Sequence, residues 1–222
     1  MNVDASRAMA PLPIYLVPVL IGYLSGALPW GLWLGRWFRG VDVRELGSKN
    51  LGATNVYRAL GPKLGVATLL LDIAKGAVPT WLVPKLPLAQ EWAGGPAACA
   101  VAVGLAAVAG HVWTCFAGFK GGKGVATTVG VLAAIAPLAF GVFVAVFAAT
   151  VAITRYISLG SVLGALAFAV TLIAAGPGGP WSPAAALGTL LALLVIVRHR
   201  ENLRRLLRGE ERRFSFRGGS RG

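Results

Sequence analysis

With 222 residues, 56% of them apolar and 13% charged, the chain carries about half the charge of a soluble domain of its size. Charge-free runs at 8–35, 92–119, 124–154 and 156–197 each exceed the ~20 residues that cross a bilayer as helix, so a polytopic all-α membrane protein is expected. The net charge of +13 argues for membrane lipid rather than nucleic acid, because the 21 basic residues gather in 36–63, at Lys120, Lys123 and Arg155, and in 198–222, as in loops that face an anionic inner leaflet.

Asp4 near the start and the lack of a cleavage site speak against a signal peptide, so residues 1–13 form an N-terminal extension and a first helix spans about 14–34. A loop at 36–63 follows. The second helix is expected at about 64–83, where Asp72 and Lys75 stand three apart on one face and can pair. A third, at about 96–112, leads into the loop of Lys120 and Lys123. The 31 residues of 124–154 divide near Pro137, since a single span would put Arg155 and the arginine tail outside. Two full crossings need ~40 residues, so one of this pair is short, tilted or re-entrant.

The run 156–197 divides at Gly176-Pro177-Gly178-Gly179-Pro180, a strong turn signal. Seven transmembrane helices result, with the N-terminus outside and the C-terminus cytoplasmic. The whole chain reads as one membrane-embedded domain, with 203–222 a basic cytoplasmic tail. No alternating ten-residue pattern recurs, which argues against a strand barrel. Gly22/Gly26, Gly31/Gly35 and Gly160/Gly164 have the spacing of closely packed helices. Cys99 and Cys115 are too few for a disulfide framework.

Four polar clusters interrupt this apolar background, all on the expected cytoplasmic side. In the first, Ser48, Asn50, Gly52, Thr54 and Asn55 make a loop rich in donors, and Arg58 beyond it suits a two-pronged grip on phosphate. An ordinary solvated turn would use the same small residues. The second holds Lys120, Gly121, Gly122, Lys123 and Gly124. Lysine at membrane depth costs ~2.5–3.5 kcal/mol, so a pair of them argues for a site. Glycines between them let backbone N–H groups approach an anion. The loop is neither a Walker A sequence, since Lys123 stands where that motif has glycine, nor a dinucleotide fingerprint, since Thr127 replaces the third glycine. Its plainer reading is a basic loop tied to lipid headgroups.

Ser158 and Ser161 in the third cluster would cap the sixth helix or bind an anion at its start. The fourth cluster, Arg198-His199-Arg200-Glu201-Asn202, ends the seventh helix. There an arginine cluster facing inward would leave His199 incidental. His111 reads as a packing residue, and Cys115 one turn beyond it as a small hydrophobe rather than a nucleophile. No carboxylate pair or metal-ligand cluster stands among these residues, so neither a metal nor another cofactor is expected.

Taken together, the clusters resemble the bacterial acyl-phosphate:glycerol-3-phosphate acyltransferases, the PlsY family. The likeness lies in Gly47-Ser48-x-Asn50-x-Gly52-Ala53-Thr54-Asn55 with Arg58, in Leu71-Asp72-x-x-Lys75-Gly76, and in Gly110-His111 followed by 119–127. It continues through Ser158-Leu159-x-Ser161 to His199-Arg200-Glu201-Asn202 and spans about 20–214 in order. Lys49, Leu51 and Thr114 depart from the family's usual glycine and prolines, which touches loop shape rather than the polar inventory.

The resemblance implies a seven-helix enzyme of the bacterial plasma (inner) membrane whose active site faces the cytoplasm. It would move a fatty acyl group from acyl phosphate to the 1-hydroxyl of glycerol 3-phosphate, giving lysophosphatidic acid and phosphate as the first step of phospholipid synthesis. By the same likeness Ser48, Asn50, Gly52, Thr54 and Asn55 would cradle acyl phosphate. Arg58, Lys123, Ser161, His199 and Asn202 would hold glycerol 3-phosphate, beside Lys120, Gly121 and Gly122. The proton would go to the donor's own phosphate, with His199 the rival base. A transporter of phosphorylated solutes would also gather basic loops, but polar groups at the midplane and inverted repeats are expected of one.

Overall fold

The computed structural model describes residues 12–176, 179 and 181–214, and these are helical with connecting turns. The helices fall into two compact units, divided between Ile135 and Ala136. Five helical stretches are long and apolar enough to cross a membrane: 12–39, 62–85, 95–117, 137–154 and 157–175. Two more apolar helices are shorter.

The first unit opens with α1 (Leu12–Ala27) and α2 (Trp30–Arg39). The sequence predicts one helix here. The chain breaks at Leu28-Pro29 because proline has no N–H to donate and pushes the residue before it out of helical geometry. Gly40, in the left-handed region at φ 65°, ends α2 by returning its N–H to the Arg36 carbonyl. The expected loop 36–63 contains a helix of its own, α3 (Ala53–Leu60), too short for apolar periodicity to announce it. Next come α4 (Pro62–Leu82), with proline at its first position, the single turn α5 (Pro87–Gln90), and α6 (Gly95–Val112). α7 (Val125–Ile135) has eleven residues, so it is the short member foreseen for the 124–154 pair.

Glycines set the contacts of this unit. A methyl on Gly26 would collide with the Ala107 carbonyl, and one on Gly110 with the Tyr23 carbonyl, so α1 and α6 touch backbone to backbone. Gly130 meets the Ile73 carbonyl in the same way and seats α7 on α4.

The second unit holds α8 (Pro137–Thr154), α9 (Ile157–Ala175), α10 (Pro183–Arg198) and α11 (Arg200–Leu207). Pro137 starts α8, as its place in the sequence suggests. Gly160 and Gly164 of α9 receive Phe147 and Phe143 of α8, the close packing expected of that pair. α9 ends and α10 begins on either side of the predicted turn, of which Pro177, Gly178 and Pro180 lie outside the described residues. Part of the predicted basic tail is the helix α11; residues 215–222 of that tail and 1–11 of the N-terminal extension also lie outside the described residues.

Candidate active site

The predicted site residues occur in both units. In the first, the 42–55 loop is folded around one amide. Asn55 is 3% exposed; its Oδ1 accepts the Ser48 N–H at 2.8 Å, and its Nδ2 donates to the carbonyls of Val43, Leu46 and Asn50 at 2.9–3.0 Å. Asn50 Oδ1 accepts the Gly52 N–H at 2.8 Å and so turns the chain into α3. Gly47 and Lys49 both take positive φ, and Gly47 lies directly over Asn55 Oδ1. Asn55 is therefore an internal tie that shapes the loop, while Ser48 and Lys49 are exposed and Asn50, Thr54 and Arg58 half-buried.

At the loop's start Asp42 accepts from the Arg44 backbone N–H at 2.9 Å and pairs with Arg44 Nη2 at 2.6 Å and Arg36 Nη2 at 3.0 Å. Hydrogen bonds from Arg44 outweigh burial and hold its carboxyl well below the usual range.

The second loop is built on the end of α6. Gly121 N–H donates to the Val112 carbonyl and Gly122 N–H to the His111 carbonyl, both at 3.1 Å. The sequence suggests amides turned toward an anion; the geometry shows these two turned toward the helix. What the glycines supply is closeness, because a methyl on Gly121 would strike the His111 carbonyl and one on Gly122 the His111 ring. Phe119 and Gly118 carry positive φ, which leaves Lys120 exposed, and Lys123 lies half-buried just before α7. Thr114, at the position where the resembled family has proline, donates its hydroxyl to the Ala27 carbonyl and accepts the Phe116 N–H at 3.2 Å. It thus ties this loop to the end of α1.

Beneath both loops lies a cavity of about 10 Å³, room for about one water. Leu51, Asp72, Lys75, His111 and Gly122 are in its wall. Lys75 Nζ pairs with Asp72 Oδ1 at 2.8 Å, the pairing their spacing predicts. His111 is buried, as expected.

In the second unit the polar residues gather on a carboxylate that sequence reasoning missed. Glu211 Oε1 accepts from Ser158 Oγ at 2.8 Å and Asn202 Nδ2 at 2.6 Å, and Oε2 pairs with Arg205 Nε at 2.7 Å. Burial raises the Glu211 pKa, but these three donors more than offset it, so the carboxyl sits below its ordinary value. The chain beyond it lies along the third cluster, with Phe214 N–H bonded to the Arg155 carbonyl at 2.7 Å.

Neither serine caps α9. Ser158 serves Glu211, and Ser161 donates to the Ile157 carbonyl at 2.9 Å, one turn back. His199 is 3% exposed at the end of α10, with Nδ1 2.8 Å from the Val195 carbonyl. A carbonyl only accepts, so Nδ1 carries the proton in this contact. The signal for Glu211 was present, as one of two adjacent acids in a tail of arginines, but nothing local says what it reaches.

A family model described as glycerol-3-phosphate acyltransferase matches residues 16–209. A glycerol-3-phosphate acyltransferase of Geobacter sulfurreducens is 48% identical over 199 residues, 90% of this chain and 97% of that protein. The crystal structure of PlsY, an integral membrane glycerol 3-phosphate acyltransferase, in its glycerol 3-phosphate form is 38% identical at a TM-score of 0.80, covering 90% of this chain and 96% of the other. Its lysophosphatidic acid form is 37% identical at 0.78, covering 90% and 95%.

Proposed function

The chain belongs to the glycerol-3-phosphate acyltransferase family, and we propose that it moves a fatty acyl group from acyl phosphate to the 1-hydroxyl of glycerol 3-phosphate. The hydroxyl oxygen attacks the acyl carbon, the bond from that carbon to the phosphate oxygen breaks, and lysophosphatidic acid and inorganic phosphate leave. The mixed anhydride carries its own good leaving group, so no covalent nucleophile is required of the protein. What must be overcome is repulsion between two phosphate-bearing anions, ~4 kcal/mol per pair of unit charges at 4 Å and an effective dielectric of 20. Fixed cations and donors remove that barrier and hold the hydroxyl in line.

The observation that carries this reading is the match over nine-tenths of the chain to a solved acyltransferase in its glycerol 3-phosphate form. The donor loops of the first unit support it. Ser48, Asn50, Gly52 and Thr54 are assigned to acyl phosphate, with Asn55 shaping their loop, and Arg58, Lys120 and Lys123 to phosphate charge. Gly121 and Gly122 let the Lys123 segment lie close on α6. Ser161, His199 and Asn202 are assigned to glycerol 3-phosphate by the family likeness alone. The attacking proton goes to the departing phosphate.

The same reading gives seven passes when α7 and α10 are counted with the five longer stretches, the N-terminus outside, and the loops at the cytoplasmic face of a bacterial inner membrane. Cysteine labelling that placed the 47–58 or 118–124 loop outside would sink that topology. For the activity, purified protein in detergent should release phosphate only when both acyl phosphate and glycerol 3-phosphate are present. Solute uptake into vesicles without chemistry would make it a transporter instead.

A further inference from the structure

Asp72, Lys75 and His111 have no part in the roles above, yet they sit together under both loops of the first unit. We propose that they form a buried seat that fixes the spacing of the two anion-binding loops, and so act as positioning residues for the reaction assigned above, on which this inference rests. A charged pair with both side chains 3% exposed is costly to bury, and apolar replacements of such pairs are often neutral or stabilising. Its presence in a membrane-spanning helix points to a task other than stability.

The geometry supplies that task. Lys75 Nζ donates to the Leu28 carbonyl at 2.8 Å, and Ser25 Oγ returns a bond to the Lys75 carbonyl at 2.9 Å, so the pair pins α4 to the break between α1 and α2. Three residues past Leu28, Gly31 lies against the Leu51 carbonyl of the first loop. On the other side Asp72 Oδ1 lies 3.7 Å from His111 Nδ1, and the far edge of that ring abuts Gly122 of the second loop. Leu51 and Gly122 thus rest on opposite ends of one chain of contacts. A shift of Asp72 displaces Gly122 through His111 and Leu51 through Leu28 and Gly31.

Two sets of variants test this in purified full-length protein. Gly122→Ala should lower kcat/KM for glycerol 3-phosphate at least 100-fold, because the added methyl meets the His111 ring. His111→Ala alone should raise that KM about tenfold. In the His111→Ala background the further loss from Gly122→Ala should shrink below threefold. Asp72→Asn with Lys75→Met removes both charges together and should raise KM for both substrates at least fivefold, with kcat per folded molecule nearly unchanged.

An equal cost of Gly122→Ala in both backgrounds overturns the seat, as do unchanged KM values in His111→Ala and the paired variant. If His111→Ala does not fold, the paired variant decides. If neither folds, the three residues are a folding element and the positioning role is overturned. Wild-type protein in the same assay keeps the questions apart, because lack of turnover there sinks the assigned reaction rather than the seat.

Discussion

The two units shape their polar groups by opposite means. In the first, charged pairs stand at the start of one loop and beneath both, but the loops themselves are held by neutral hydrogen bonds: Asn55 makes four bonds to nearby backbone, and the amides of Gly121 and Gly122 bind the end of α6. In the second, one carboxylate from the end of the chain draws together Ser158, Asn202 and Arg205. A loop held by many backbone bonds can keep a strained path, with positive φ at Lys49 and Phe119. A set of donors held by one charge shares a single point of failure and gains a dependence on pH.

The largest effects are expected where charge is meant for substrate rather than for scaffold. Lys123→Ala and Arg58→Ala should each cut turnover about 100- to 1,000-fold, the range found for removing one preorganised group from a site. Membrane insertion and the thermal melt in detergent should stay close to wild type. Near-normal turnover in either variant would remove the first unit from the chemistry.

His199→Ala comes next. With glycerol 3-phosphate saturating, kcat should fall no more than about 100-fold if the donor's phosphate takes the proton. A fall near 10,000-fold, the upper end for general-base catalysis, would give that role to His199 Nε2.

Asn55→Ala sharpens the contrast from the scaffold side. It takes a donor from three carbonyls, of which Val43 and Leu46 keep a backbone N–H, and leaves the Ser48 N–H without its acceptor, at about 1–3 kcal/mol for each group that water cannot reach. The melt should fall by several degrees and KM for acyl phosphate should rise, whereas KM for glycerol 3-phosphate should move little.

Glu211→Gln should cost about 1.5–3 kcal/mol, the worth of hydrogen bonds to a charged group, read from denaturation in detergent. Because the folded carboxyl lies below its ordinary value, its stabilisation is full above the unfolded pKa near ~4.3 and is lost as pH falls through the folded value. Wild type should therefore lose stability as pH drops below about 4.3, and Glu211→Gln should lack that part of the loss.

Ser161→Ala is the mildest structurally. Its hydroxyl bonds only one turn back in its own helix, so stability should change by less than about 0.5 kcal/mol. Any loss of rate beyond threefold would then report contact with substrate.

How much of this was legible in the sequence depended on the range of the cause. Run length, together with Pro137 and the glycine-proline turn, was enough to place α8, α9 and α10, because span length is a local property. The Asp72–Lys75 pair was readable from helical spacing. The break at Pro29 was there to be seen but was overridden by the unbroken apolar run. α3 was hidden because its eight residues, although amphipathic, are fewer than the ~11–18 over which apolar periodicity is read.

The polar residues themselves were found, but not the direction in which they point. Asn55 satisfies its own backbone, and the glycines of the second loop are small to admit the His111 ring. Sequence gives donors, not their acceptors. Glu211 was missed for the same reason, since it meets Ser158 across 53 residues of chain.

The length of α7 has a consequence for the lipid around it. Eleven residues rise about 16 Å, roughly half the depth of a bilayer's oily slab. The helix starts just past Lys123 and stops at Ala136, whose backbone (φ −141°, ψ 74°) is no longer helical. Like any helix end, it leaves its last carbonyls without a donor from its own turns, and hydrocarbon supplies none. A helix of this length completes a crossing only where protein, water or a thinned leaflet meets its far end.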